Sequence, residues 1–582
     1  MTLLESAHSA SHRLWDAAGL PLEELSHLRF SPNADPAVDS SFRLGTAAQQ
    51  AAIGLSGLAA AYFHKLRTTQ SQEVFVDARH AVLEFKSESW YTIDGCLEGP
   101  GSLWDDIAGL YPTKDGYVRI HTNFPHHRKG ILDILQCEPN RDAVAGALLT
   151  WNSVEFETRA ASRGMCATAL RSFSEWDEHP QASALRGVPP VCLIKVGEAD
   201  KRDVGDQSFD CPLDGIRVLD LTRVLAGPVC GRSLAAHGAD VLWITSPKLP
   251  SLPLIDVDTS RGKRTTQLDL TREADVETLA SLVRESDVFL QAYRPGGLKD
   301  KGFGVADVVR LSPGIVYASL TAYGWEGPWK DRRGFDSLVQ TATGFNIAEG
   351  QAYAISKPGQ VFAPRPLPMQ ALDHAAGYLL NFGINAALAK TVTEGGSWEV
   401  RVSLAAVGQW IRSLGQLEPR IGFGQGLPLP ERTIPLSPEI VALSTTIQEC
   451  RGSRAGETDK DARRTMTAIR HAGILSRTPL REGEAPMSLS KHAPEWLPRK
   501  IATASPRLAR IVAMVTVHIF QYILSMIIMT DIRTKQVVGR MNCQLSVILQ
   551  YIIPCTRRQR TESVRVVWQF EEVSGVHRNF HM

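Results

Sequence analysis

In this 582-residue chain the residues able to do chemistry gather around glycine turns rather than around metal or nucleophile motifs. Gly215-Ile-Arg-Val-Leu-Asp-Leu is a short apolar strand that runs into the turn Thr222-Arg-Val-Leu-Ala-Gly-Pro and then a helical pattern. A glycine-containing turn entering a helix aims backbone N–H groups at an anion placed before it. Alone, it could equally be a tight turn made for packing. Two cationic glycine loops follow, Ser260-Arg-Gly-Lys-Arg and Tyr293-Arg-Pro-Gly-Gly. Each by itself reads as a solvated loop; beside a parallel sheet, together they point to a phosphorylated, nucleotide-like ligand. His121, His126 and His127 have no carboxylate at ligand spacing, so they read as solvated loop histidines and no metal site is expected. Gly422-x-Gly-x-Gly precedes Pro428 and Pro430 and opens no helical pattern, which predicts a plain loop. P-loop, HExxH, GxSxG and kinase signatures are all missing.

The elements that must position these residues change rhythm along the chain. Residues 1–29 and 41–67 read as helices, Val74-Phe-Val-Asp-Ala as a strand, and Gly116-Tyr-Val-Arg-Ile-His as a half-buried strand. Helical patterns follow near Lys129–Gln136, Asn140–Leu149 and Val154–Arg163, and a turn-rich stretch from Arg186 to Cys211-Pro reads as a linker. From Asp214 onward, strand, helix and the strand Asp240-Val-Leu-Trp-Ile form a βαβ unit, which requires a parallel sheet. Asp287-Val-Phe-Leu-Gln and Gly314-Ile-Val-Tyr-Ala-Ser-Leu add strands, so this half is α/β of the doubly wound type, with a Rossmann-like large domain.

A repeat runs through the chain. A shift of 326 residues superposes Gly57, Ala60, Ala61, Ser71, Glu73, Val74 and Val76 on Gly383, Ala386, Ala387, Ser397, Glu399, Val400 and Val402. Both copies lead from a small-residue helix through a polar turn to a Glu-Val-x-Val strand, which reads as a partial duplication. The divisions expected are 1–210, 211–445, 446–499 and a tail from 500 to 582, with a charged loop near Glu449–Arg464. In the tail, Ile511–Thr530 is an uncharged run of twenty residues, long enough to span a bilayer. His518 and Gln521 within it fit a buried tail helix better.

Composition removes whole classes. The chain is 43% hydrophobic and 21% charged, which excludes a mainly disordered or fibrous protein. Its formal net charge of +1 gives no global attraction to nucleic acid, and no nucleic-acid partner is expected. Nine scattered cysteines without a CxxC pair argue against a disulfide framework or a structural zinc, and a reducing, cytoplasmic compartment fits. The opening MTLLESAHSASHRLWDAAG carries an early Glu5 and no apolar core, unlike a secretory or transit segment.

The run from Gly215 to Pro228, with Gly238-Ala-Asp-Val after the helix, closely resembles the opening of the family III CoA-transferases. Further motifs keep the family's order: Arg261-Gly-Lys-Arg, Tyr293-Arg-Pro-Gly, Tyr323-Gly-x-x-Gly-Pro, Arg333-Gly-Phe-Asp-Ser-Leu-Val-Gln and Ala371-Leu-Asp. Residues 41–200 resemble the family's later half and 211–440 its first half, so the order is late, early, late. The resemblance implies a Rossmann-like large domain, a smaller α/β domain and two interlocked ring-shaped subunits; here the two late-type segments could instead close on each other within one chain. It implies an acyl-CoA donor and a carboxylic acid acceptor, with coenzyme A thioester as substrate and no permanently bound cofactor. Asp373 matches the nucleophile, and a plain N-cap of the helix before His374-Ala-Ala-Gly is the alternative role. Its place at a helix N-terminus would steady the carboxylate and later oxyanions. Asp336 matches a carboxylate kept near the nucleophile, and Arg333 a basic position near the cofactor. Val224 and Leu225 match the turn that meets the nucleotide end of CoA, Lys263 and Arg264 would pair with its phosphates, and Tyr293 and Phe335 line the site. Thr245 and Ser246 replace an acidic and a basic residue, Ala292 an Asn, and Asp300 an Arg common in relatives. Racemases of the family place His where Phe335 stands, which argues against racemisation. A non-catalytic binding protein left by the duplication is the alternative from another class.

Overall fold

A computed structural model describes residues 7–32, 35–45, 51–99, 102–204, 209–357, 359–448, 464–481, 483 and 488–499. The uncharged run at 511–530 and most of the charged stretch after 449 lie outside the described residues. Among the described residues no helix is long and apolar enough to cross a membrane.

The α/β reading holds. Seven strands form the main sheet: β1 Cys192–Gly197, β2 Arg217–Leu221, β3 Asp240–Thr245, β4 Arg264–Gln267, β5 Val288–Gln291, β6 Val316–Thr321 and β7 Ser397–Ser403. Their order is β4-β3-β2-β5-β6-β7-β1, with every pairing parallel except the edge pair β7–β1. The inner strands are buried on both faces, as parallel sheets require. Val218, Val241, Val288 and Val316 join the core on one face, while their neighbours Leu219, Leu242, Phe289 and Tyr317 join the core on the other. The chain leaves β2 toward β3 and β4, then returns to β5 on the other side of β2. That reversal opens a crevice at the carboxyl ends of β2 and β5.

The expected division at residue 210 is not a structural one. Strand β1 comes from the first segment yet completes the main sheet, and Gly473–Leu475 pairs with Val74–Val76 of the first segment. A separate three-stranded sheet of Gly109–Pro112, Tyr117–Ile120 and Ala167–Ala169 packs on Pro125–Leu135, Arg141–Leu148 and Ser153–Ser162 and forms the smaller α/β unit. The first predicted helix is shorter than expected: it covers Ala7–Ala17, and Leu28–Phe30 is a strand. The glycine run after 421 is not all loop, because Pro419 and the Glu418 carboxylate, which accepts from the N–H groups of Arg420 and Ile421, start a short helix over Pro419–Gly424.

Both repeat copies fold alike. Helices α1 (Ala51–Thr68) and α4 (Ala371–Thr393) each lead to a strand, Val74–Val76 and β7 respectively. The repeated glycines make the same close approach: a Cβ on Gly57 would lie 3.0 Å from Val74 Cγ1, and one on Gly383 would lie 2.4 Å from Val400 Cγ1. The two helices also pack against each other inside the single chain, and α4 is buried along nearly its whole length.

Candidate active site

The turn after β2 is built from buried polar contacts and small residues. Asp220, fully buried, accepts from the Thr222 N–H at 3.1 Å and from Lys263 Nζ at 2.7 Å. Trp243 Nε1 donates to the Thr222 carbonyl at 2.9 Å. Gly227 and Gly231 are required here, because a Cβ would come within 2.5 Å of Thr222 and 2.1 Å of Asp220 Oδ2. Val224 sits at φ +72°, a left-handed conformation that a β-branched residue adopts only where its surroundings impose it. The helix Ala226–Ala236 (α2) begins immediately after Leu225.

A cavity of about 230 Å³ opens at the carboxyl ends of β2, β3 and β4, lined by Leu221, Thr245, Ser246, Lys248, Tyr293 and Lys301 among others. This is the crevice side, and Tyr293, Thr245 and Ser246 are on its wall. Lys263 and Arg264 do not face it as free cations. Lys263 is buried against Asp220 and the Pro228 carbonyl, and Arg264 forms a bidentate pair with Asp240 at 2.9 and 3.1 Å. A loop rich in cations looks solvated in sequence, but here the carboxylates of β2 and β3 draw both side chains into structural pairs. Lys248 and Lys301 are the cations on the cavity wall, and Lys248 is shared with Asp269 at 2.8 Å.

Asp373 lies in the first turn of α4, three residues past the cap position Gln370. It is therefore not the N-cap that its sequence context offers. Asp336, at the head of the helix Asp336–Ala342 (α3), caps the turn instead. Its Oδ2 accepts from the N–H groups of Leu372 at 2.7 Å and Asp373 at 3.0 Å, while Oδ1 accepts from Gln340. The His374 N–H goes to the Gln370 carbonyl at 3.1 Å. These first-turn N–H groups are thus engaged, and the expected steadying of the Asp373 carboxylate or an oxyanion by the helix terminus has no donor among them. The carboxyl of Asp373 accepts no hydrogen bond among the described residues, although the residue is only 8% exposed.

Three acids share this volume. Burial raises the Asp373 carboxyl well above the usual range, and the neighbouring charges of Asp336 and Glu88 add to it. Burial likewise pushes Asp336 up to about 6, opposed by the N–H bonds it accepts. Glu88 reaches the site from the turn Ser87–Ser89, where its Oε2 lies 3.2 Å from His374 Nε2. The same turn anchors itself through Ser87 to the fully buried Asp258, which pairs with Arg232 of α2. Sequence reasoning did not find Glu88, because nothing in its local pattern distinguishes it from a solvated acid.

Arg333 and Phe335 face the smaller sheet. Arg333 donates to His127 Nε2 at 2.7 Å, and Phe335 stacks on His121 with centroids 3.8 Å apart and planes 7° apart. The reading of these histidines as solvated is overturned for two of the three: His121 and His127 are buried, and only His126 is exposed. Burial, aided by Arg119 at His121 and by His126 and Arg333 at His127, pushes both imidazoles down to about 3. A neutral ring can then accept from Arg333 at no electrostatic cost. Among the described residues no cluster of three ligand-type side chains could hold a metal ion. The turn of Val224 and the acid pair are tied together by a close crossing of α2 and α4, where a Cβ on Gly377 would lie 2.6 Å from the Ala226 carbonyl oxygen.

Residues 213–419 match the family model of CoA-transferase family III, the family to which the sequence motifs pointed. The chain is 35% identical over 209 residues to an acetyl-coenzyme A transferase of Hypoxylon pulicicidum, covering 35% of this chain and 34% of that protein. It is 28% identical over 400 residues to an acyl-CoA transferase of Gibberella moniliformis, covering 62% and 69% respectively. Among solved structures, a CaiB/BaiF family protein from Brucella suis is 25% identical, covers 41% of this chain and 64% of its own, and has a TM-score of 0.31. The chain thus spans about a third of the length of the first of these relatives.

Proposed function

We propose that the protein is an acyl-CoA:carboxylate CoA-transferase that works through an aspartyl-CoA thioester on Asp373. One observation carries this reading: a buried carboxyl without a hydrogen-bond partner stands in the α4 turn whose backbone is fixed by Asp336. A carboxylate held without donors keeps its lone pairs for attack, and its raised proton affinity makes it more nucleophilic once ionised. Asp373 Oδ attacks the thioester carbonyl and expels CoA thiolate, leaving a mixed anhydride. The thiolate attacks the aspartyl carbonyl of that anhydride, releasing the donor acid and forming the aspartyl-CoA thioester. The acceptor carboxylate attacks this thioester, CoA leaves as thiolate, and the thiolate takes the new acyl group while Asp373 returns as carboxylate. Every step exchanges one acyl–heteroatom bond for another, so no redox partner or water is consumed.

CoA would lie along the crevice with its nucleotide end at Val224, Leu225, Thr245 and Tyr293, where Lys248 and Lys301 supply positive charge. Racemisation needs a base beside the thioester. The ring stacked on Phe335 is His121, and an imidazole pushed down to about 3 is too weak a base at neutral pH to abstract an α-proton efficiently. The test is chemical: treatment with acyl-CoA and then hydroxylamine should convert Asp373 to a hydroxamate, seen by peptide mass spectrometry. Absence of label at Asp373 across acetyl-, propionyl- and succinyl-CoA would overturn the mechanism.

A further inference from the structure

An acceptor carboxylate approaching Asp373 meets a site already crowded with acids, so some cation must draw it in. The obvious candidates are occupied: Arg232 is paired with Asp258, Lys263 with Asp220, and Arg332 with Glu157. Arg119 differs. It lies on the strand Tyr117–Ile120, whose Val118 and Ile120 point into the core of the smaller unit, so Arg119 projects from the opposite face together with His121. No described carboxylate or carbonyl takes a hydrogen bond from it, and its buried Nε has no partner. Its guanidinium lies over the Trp104 ring at 5.1 Å, and that ring meets His121 edge-on.

The surroundings of Arg119 lead back to the nucleophile. His121 stacks on Phe335, which precedes Asp336, and α3 packs against the strand that carries Arg119. Asp336 is the acid whose charge most favours the Arg119 cation, and its Oδ2 holds the Asp373 N–H. Burial lowers Arg119 only to about 10, so it stays charged at neutral pH. A half-buried guanidinium that donates to no described acceptor is a poor arrangement for stability alone, because a nearby charge and an aromatic face do not replace the hydrogen bonds lost on burial. It is a good arrangement for a planar anion that arrives later.

We propose that Arg119 binds a second carboxylate of the acid being activated or released, which makes it a specificity residue for dicarboxylic acids. The reacting carboxyl would lie at Asp373 and the remote one at Arg119. Because donor and acceptor acids occupy the same place in turn, the residue would serve both halves of the exchange. This rests on the transferase reading above, and the experiment separates the two.

The test compares straight-chain C4 to C6 dicarboxylic acids with their monomethyl esters as acceptors, in wild type, Arg119→Gln and Arg119→Lys. Wild type should prefer at least one diacid over its half-ester by about 10- to 100-fold in kcat/KM, the range of a charge-assisted hydrogen bond. Arg119→Gln should lose that preference through KM for the diacid, and Arg119→Lys should restore part of it. Hydroxamate formation at Asp373 from acetyl-CoA should be unchanged in Arg119→Gln, since that donor has no second carboxylate. A merely structural role predicts a lower melting temperature with the diacid preference intact. That result, or a wild type that treats every diacid and half-ester alike, overturns the proposal while leaving the transferase standing. Failure of wild type to label Asp373 at all would instead strike the transferase mechanism.

Discussion

Replacing Asp373 by Asn separates a nucleophile from a residue that merely occupies a helix start. Asn has nearly the same shape and cannot form an anhydride, so transfer should fall by several orders of magnitude, about 5 kcal/mol or more of barrier. Stability should move the other way. Burial raises Asp336 from 3.8 to about 6 and lifts Asp373 well above its usual range, so the folded protein holds protons that the unfolded chain releases near pH 4. Stability from such groups is full below the unfolded value and is lost as pH rises through the folded one. For Asp336 alone the interval is about two pH units, on the order of 3 kcal/mol lost by pH 7. The amide in Asp373→Asn removes the corresponding loss at this position and a like charge beside Asp336. We therefore expect Asp373→Asn to be stabilised by roughly 1–3 kcal/mol at pH 8, with the gain shrinking toward pH 4. Thermal melts across that pH range, paired with transfer assays, measure both quantities. Activity within tenfold of wild type would refute the nucleophile, and a stability change independent of pH would refute the account of the acid pair.

Three further outcomes follow from the geometry. Glu88→Gln removes a negative charge that opposes ionisation of Asp373, so the acid limb of hydroxamate formation should move to lower pH; an unmoved limb would show that Glu88 does not act on the nucleophile. Gly383→Ala should cost about 1–3 kcal/mol by overpacking, and Gly57→Ala less, because the new methyl meets valine at 2.4 Å in one case and 3.0 Å in the other; denaturation midpoints that rank the other way would refute the packing argument. Since the two repeat helices pair within one chain, light scattering should show a monomer, and a dimer resistant to dilution would favour interlocked subunits.

How much of this was legible in the sequence depends on how local the determinant is. The βαβ strands were readable because residues such as Val218 and Leu219 are apolar on both faces, and the turn at Val224 followed from the glycines after it. Asp373 and Asp336 were reached through ordered motifs, but their relation was not. The helix context of Asp373 suggests a cap, whereas the cap comes from Asp336, 37 residues earlier in the chain. Lys263 and Arg264 looked like phosphate ligands because a sequence cannot show that Asp220 and Asp240 stand beside them. His121 and His127 looked solvated for the same reason: their burial is supplied by Phe335 and Arg333, more than 200 residues away. Arg119 and Glu88 carried no signal, since a polar residue on an alternating strand or in a short turn is ordinarily a surface residue.

The repeat accounts for where these unforeseen residues stand. Under the shift of 326 that aligns the copies, Asp373 falls on Ala47, so only the second copy carries the proposed nucleophile. The first copy still forms its helix and strand and still packs its helix on the second. What continues from it is Ala78–Glu84 and the turn Ser87–Ser89, and these bring Glu84, Ser87 and Glu88 against Arg232, Asp258 and His374. The small sheet with Arg119 and His121 belongs to the same late-type segment. In the proposed mechanism one copy carries the reacting group, while the segment without it supplies the surrounding wall, including the acid that raises Asp373 and the cation we assign to the substrate. If that division is correct, substitutions in residues 84–121 should alter acid selectivity and pH dependence without removing the covalent step, and substitution of Asp373 alone should abolish it.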